Sequence, residues 1–275
     1  MVRSALVAVC GVALAATVAG CGGASSDAAP PTTTIRQLRQ FRIVFPEGFT
    51  RVAMAERVRT VAKIAKQESH RRVEVSAKGY LAATAKPRTF AGFGDKKLSL
   101  EGFLFPDTYD FDRKSTSAQL VGEQLGEFGS KWRSLDLAYA RSKNLTPYDV
   151  LTIASMVEGE AQVPKERPLV AAVIYNRLHA HMPLGIDATL RYGLHIPPTQ
   201  SLTQSELHNP TPYNTRMHDG LPPTPINNPG LAAFEAAAHP AKVDYLYFVR
   251  KPDHKHHYFT ASYQDFLQHE AQYGY

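Results

Sequence analysis

Reactive side chains gather in few places along this chain. In Ile153 to Ala161 (IASMVEGEA), Glu158 and Glu160 close a run that is otherwise almost wholly apolar and helix-forming. The plain alternative is that both are solvated helix-end acids, but carboxylates at a helix C-terminus oppose the helix dipole, so a purely structural role has little to recommend it. At about 100° per residue, two residues apart means roughly 200° around the axis, so the pair cannot serve one site as acid and base. One would face a cleft and the other would do something else. A carboxylic acid held against Met156, Val157 and proline-rich loops would have its pKa raised by lost hydration, as a general acid near neutral pH needs.

Other candidates are more scattered. Asp187, in Met182 to Gly193 (MPLGIDATLRYG), could align a sugar or peptide by hydrogen bonds, or equally cap a short helix beginning near Ala188. Tyr213-Asn214-Thr215 offers a ring for stacking, an amide and a hydroxyl, against the alternative of a turn-forming Asn between prolines. His254, His256 and His257 fall on an expected hairpin tip beside Lys251 and Lys255 and read as solvated surface. Neighbouring histidines on a loop, with no cysteine near and Asp253 the one carboxylate beside them, are read as surface and not as a metal site. There is no glycine-rich phosphate loop, no G-x-S-x-G elbow and no H-E-x-x-H, and nothing in the sequence calls for a cofactor or metal.

These residues need elements to position them. Arg42 to Phe45 is a β-type run closed by the turn Pro46-Glu47-Gly48, after which Thr50 can cap a helix with Val52, Ala55, Val58, Val61, Ala62 and Ala65 at helical spacing. A weaker helix spans Ser76 to Ala85. Leu98 to Phe111 (LSLEGFLFPDTYDF) reads as an extended aromatic segment broken by Pro106. From Ser115 onward the pattern turns helical. Leu120, Val121, Leu125, Phe128 and Trp132 form one stripe, and Thr146-Pro147-Tyr148-Asp149 supplies a cap, a first-position proline and an acid at the third position for the helix bearing the two glutamates. A further helix runs from about Arg167 to Ala180. A proline-rich stretch then suggests functional loops, Asn228-Pro229 opens a last short helix ending near His239, and Asp244 to Arg250 pairs with His257 to Thr260 as a hairpin.

The amino terminus reads as an address. Residues 1–20 hold Arg3 and then an uncharged apolar run, the layout of a secretory signal. Val18-Ala19-Gly20-Cys21 resembles a bacterial lipobox, in which Cys21 is lipidated, with a plain anchor helix as the alternative. Residues 21–37 are small, polar and proline-rich, a tether to the lipid surface. Cys10 and Cys21 are the only cysteines of 275 residues, so no disulfide or thiolate metal site is open to the rest of the chain. A formal net charge of +6 suits an anionic polymer or surface but does not indicate nucleic acid. With 44% apolar residues the chain can bury one large or two small cores, and disorder throughout is excluded.

Eight strings occur in the order and spacing of a known family. They are LEGFLFPDTY (Leu100 to Tyr109), IASMVEGEA, VAAVIYNRL (Val170 to Leu178), MPLGIDATLRYG, PYNT (Pro212 to Thr215), GLPPTPINNPG (Gly220 to Gly230), AAHPAKVDYLYFV (Ala237 to Val249) and HYFTASY (His257 to Tyr263). Together they resemble the endolytic murein transglycosylase, or YceG-like, family. The resemblance implies an α+β protein: a small LysM-like module at 38–112 and a lysozyme-like lytic transglycosylase domain at 113–275. It implies internal cleavage of nascent peptidoglycan glycan strands, close to the membrane and beside the peptidoglycan synthases, with 1,6-anhydro-MurNAc ends as products.

The family's catalytic acid lies in the segment matched by Val157-Glu158-Gly159-Glu160. Lytic transglycosylases place that Glu directly before a small residue at a helix end, which favours Glu160 over Glu158. One carboxyl group suffices for the implied mechanism, protonating the glycosidic oxygen and then accepting the proton of the C6 hydroxyl. Asp187, Thr189, Tyr213, Asn214 and Thr215 match cleft-lining motifs and would bind sugar. Where the family has Gln-Ser/Thr-Asp-Pro-Thr, this chain has Gly185-Ile186-Asp187-Ala188-Thr189, keeping the acid and the threonine. Rival readings are a non-catalytic glycan-binding lipoprotein and a hydrolase of the same polymer. The expected location is the extracytoplasmic face of the cell membrane, held by a lipid anchor.

Overall fold

A computed structural model describes residues 39–274, and the expected signal, Cys21 and tether lie outside the described residues. The first strand, β1 (Phe41–Val44), precedes α1 (Arg51–Ser69) and α2 (Ala77–Thr84), and the chain then returns as β2 (Thr108–Phe111). β2 pairs antiparallel with β1, Ile43 opposite Tyr109 and Arg42 opposite Asp110. Period-two alternation turns Ile43, Tyr109 and Phe111 inward and leaves Arg42 and Asp110 as a solvated pair outside. Thr50 Oγ1 accepts from the Ala53 amide at 3.1 Å and starts α1 as expected, and Ser76 does the same for α2. The apolar stripe is shifted from the expected one. Met54, Ala55, Val58 and Ala65 are buried, whereas Val52 is 54% exposed and stands at the rim of a cleft.

The segment from Leu98 to Phe111 is not extended throughout. Only Thr108–Phe111 is a strand, and Glu101 to Leu104 forms a tight turn. Gly102 has φ +90°, and a Cβ there would lie 2.7 Å from Pro225, so the turn can be made and packed only without a side chain. The turn sends Phe103 into the interior, stacked on Phe90 with ring centroids 3.7 Å apart.

Helix α3 (Ser117–Arg133) begins with a complete capping box between Thr116 and Gln119. A short α4 (Ala138–Ser142) leads to α5 (Pro147–Glu160), where Thr146 and Asp149 form the capping box that the sequence predicts. Every residue from Val150 to Val157 is buried, which explains the lack of a polar face in that stretch. α5 is the central pillar. A 3-10 turn (Pro164–Glu166) and α6 (Arg167–His179) follow, then α7 (Asp187–Leu194), α8 (Gln204–Leu207) and α9 (Leu231–Ala238). The hairpin is present as β3 (Tyr247–Arg250) and β4 (His257–Thr260). The helix expected to be last is α9, but α10 (Tyr263–Tyr273) follows and lies on the hairpin, Phe266 stacked on Tyr247 at 5.4 Å. Mixed helix and small sheets make this an α+β structure.

Two apolar cores form, and neither respects the boundary expected at 112/113. The smaller joins β1, β2, α1 and α2 to Leu120 and Val121 of α3; the larger surrounds α5 and takes in Phe103 and Phe105 from before that boundary. α3 spans both, its first turns in one core and Phe128 and Trp132 in the other.

Candidate active site

A cleft of about 1370 Å³ opens where the start of α1, the end of α5, the start of α7 and the β3–β4 hairpin converge. Glu160, the last residue of α5, lines it. The residue is 8% exposed, and its Oε1 accepts from the Ala188 amide, in the first turn of α7, at 3.3 Å. Burial raises its pKa and the nearby Asp187 carboxylate raises it further, while the Ala188 amide, Arg250 and His257 pull it down. This is the environment expected of a general acid.

Glu158 goes the other way. Its Oε2 accepts from the Gly230 amide at 3.2 Å and its Oε1 lies 3.7 Å from Arg167 Nη2, so it braces α5 against the starts of α6 and α9. It does not line the cleft. The glycine between the two acids sets how closely α7 approaches. A Cβ on Gly159 would stand 3.0 Å from the Cβ of Ala188, the residue whose amide meets Glu160.

Asp187 is the first residue of α7, not its cap. Ile186 occupies the cap position without a side-chain bond, and Asp187 lines the cleft with Oδ1 2.7 Å from Arg216 Nη2. Thr189, Tyr213, Asn214 and Thr215 do not line the cleft. Thr189 Oγ1 donates to Ile186 O at 2.7 Å, and Thr215 Oγ1 accepts from the Ile186 amide at 3.0 Å. Asn214 is fully buried: its Nδ2 donates to the carbonyls of Leu207 and Asn209, and its Oδ1 accepts from the Arg216 amide. Tyr213 shares a 2.9 Å hydroxyl bond with Thr224 and stands edge-on to Tyr192. These four residues hold α7 and its loops from behind, so the turn-forming alternative for Asn214 describes its contacts.

The three hairpin histidines separate. His254 and His256 are exposed, His254 at the edge of the cleft, but His257 is 5% exposed where it lines the cleft, its backbone amide and Nδ1 both bonded to Glu166. The neighbouring Asp253 holds exposed His256, whereas the carboxylate that holds His257 comes from 91 residues away. Glu101 is a cleft residue that sequence reasoning missed. Its Oε1 accepts from the Arg51 amide and Asn228 Nδ2, each at 2.8 Å, and its Oε2 from the Tyr192 hydroxyl at 3.2 Å. Burial pushes its pKa up to about 7 against those hydrogen bonds. The signal was an acid inside the apolar run LSLEGFLF, where a charge needs a reason. Among the described residues, no cluster of His, Cys, Asp or Glu could hold a metal ion, and no helix is long and apolar enough to cross a membrane.

The chain resembles known proteins at several levels. Two curated relatives called endolytic murein transglycosylase are each 37% identical: one from Bacillus subtilis strain 168 over 157 residues, one from Streptococcus pneumoniae strain R6 over 160. Each match takes in 56% of this chain but only 43% and 28% of the relatives' own lengths. A crystal structure of a yceG-like protein from Listeria monocytogenes superimposes with a TM-score of 0.64 at 29% identity, covering 82% of this chain and 75% of that one. The family model for the YceG-like family matches residues 25–272, and with nearly the whole described structure inside that match the chain belongs to the YceG-like family.

Proposed function

We propose that the protein is an endolytic peptidoglycan lytic transglycosylase, with Glu160 as its acid. The observation that carries this reading is the divergence of the VEGE pair: burial raises the pKa of both acids, but Glu160 alone opens on the cleft, while Glu158 is spent on Arg167 and Gly230. Protonated Glu160 gives its proton to the oxygen that leaves C1 of N-acetylmuramic acid. The C6 hydroxyl of that sugar then closes on C1, its proton returns to the site, and no water is consumed. Ordinary glycosidases need two free carboxyl groups facing the bond. Asp187 shares the cleft but is paired with Arg216, Oδ1 lying 2.7 Å from Nη2, which favours the route needing one free carboxyl. The names of the two relatives support the same chemistry.

In this reading residues 38–112 act as a LysM-like glycan-holding part beside a lysozyme-like catalytic part. Cys21 carries the lipid that keeps the enzyme at the outer face of the membrane, beside the synthases that extrude new strands. The reading is tested by digesting purified peptidoglycan with the chain lacking residues 1–37, which cluster separately from the rest, and weighing the products. Anhydro-muramic ends are expected, lighter by one water than hydrolytic ends. Reducing ends would replace the reading with a hydrolase, and tight binding without products would replace it with a glycan-binding lipoprotein. Cys21→Ser in the full chain should move the protein from the membrane to the soluble fraction.

A further inference from the structure

Glu166 and His257 form a buried pair that the mechanism above leaves unused. Glu166 ends the 3-10 turn before α6 and is 8% exposed. One residue takes both its oxygens: Oε1 accepts from the His257 amide at 3.0 Å, and Oε2 lies 2.8 Å from His257 Nδ1. A carboxylate only accepts, so the contact places the hydrogen on Nδ1 and locks the ring. Phe248 stands edge-on to the imidazole at 5.3 Å and Phe259 at 6.1 Å, so it cannot swing away. Nε2, on the other side of the ring, has no hydrogen-bond partner among the described residues. His257 lines the cleft with Glu160, Phe248 and its cross-strand partner Arg250. Nε2 is not one of the buried atoms left without a partner, so it is the accessible end of an otherwise buried ring, placed at the cleft wall to meet a ligand.

We propose that His257, held by Glu166, is a second proton acceptor of the cleft, its Nε2 taking the proton of the sugar C6 hydroxyl as the anhydro ring closes. The inference rests on the transglycosylase reading and divides its two proton transfers between two residues. Glu160 gives its proton to the leaving oxygen as the bond from C1 breaks. The C6 oxygen bonds to C1 and its proton passes to Nε2. The resulting imidazolium is held by the Glu166 carboxylate, and return of that proton to Glu160 restores both groups. Nothing else is consumed. Unlike a second free carboxylate, a neutral imidazole backed by a carboxylate accepts a proton while placing no ionised group against the sugar hydroxyl.

The test compares wild type, His257→Gln and Glu166→Gln on purified peptidoglycan, reading both the rate and the ratio of anhydro to reducing ends, with folding checked by thermal melting. His257→Gln is expected to lower the rate about 100-fold and to raise the share of reducing ends, because water competes for C1 when the C6 hydroxyl has lost its acceptor. Glu166→Gln should shift the products the same way, with a loss of roughly 10-fold. A folded His257→Gln with wild-type rate, or one slowed with no change in product ratio, would overturn the proposal. If His257→Gln does not fold, Glu166→Gln decides by its product ratio alone. If wild type itself yields only reducing ends, the transglycosylase reading has failed and this inference falls with it.

Discussion

Glu158 and Glu160 differ by two positions and by everything around them. The opposition was legible from helix geometry, because two residues at about 100° each must point apart. Which acid met the cleft was not, since that depends on where Arg167 and α7 come to rest. Glu101 shows the same limit, because the groups that hold it come from Arg51, Tyr192 and Asn228, far apart along the chain. Its environment makes a prediction with a definite sign. Folded Glu101 keeps its proton up to about 7, whereas the unfolded chain releases it near 4.5. Its contribution to stability is therefore complete below 4.5 and is lost as pH rises through 7. Glu101→Gln keeps an oxygen for Arg51 and Asn228 but cannot ionise. Urea unfolding at both ends of that window should show wild type losing, relative to the variant, on the order of 3 kcal/mol as pH rises.

At the scale of elements, the caps at Thr50, Thr146 and the helices they start were readable from residue type and spacing, since capping is local chemistry. Boundaries set by distant contacts were not. The segment around Gly102 reads as extended until Pro225 is known to press on it, and α10 was missed because no residue in it is buried. The meeting of α5 and α7 is where an element's position becomes chemistry. Gly159→Ala would put a Cβ 3.0 Å from Ala188, forcing α7 back from Glu160. The variant should melt close to wild type yet turn over roughly 10-fold more slowly, because small displacements of a catalytic contact are costly. Wild-type turnover in a folded Gly159→Ala would show that the Ala188 amide does not set the acid.

For the molecule as a whole, two parts were legible and their union was not. Composition and strings separate a small α+β portion from a helical one, but the cores interlock through Phe103, Phe105 and α3. Asn228 is the tightest of these ties. Its Oδ1 accepts from the amides of Gly102 and Leu104, its Nδ2 donates to Phe49 O and Glu101, and its own amide donates to Phe49 O. Asn228→Ala strands two buried amides and should cost roughly 4 kcal/mol, measured by urea unfolding as a single transition rather than the loss of one portion alone. Thr189, Thr215 and Asn214 carry the same lesson: they lie beside α7, but the direction each side chain takes depended on the loops around it. The claim on which all of this turns is that catalysis depends on Glu160 and not on its neighbour. The most direct measurement is turnover of purified peptidoglycan by folded Glu160→Gln and Glu158→Gln side by side. The account predicts a loss of about 1000-fold or more in the first, with glycan binding retained, and no more than about 10-fold in the second. Full activity in Glu160→Gln with none in Glu158→Gln would contradict it.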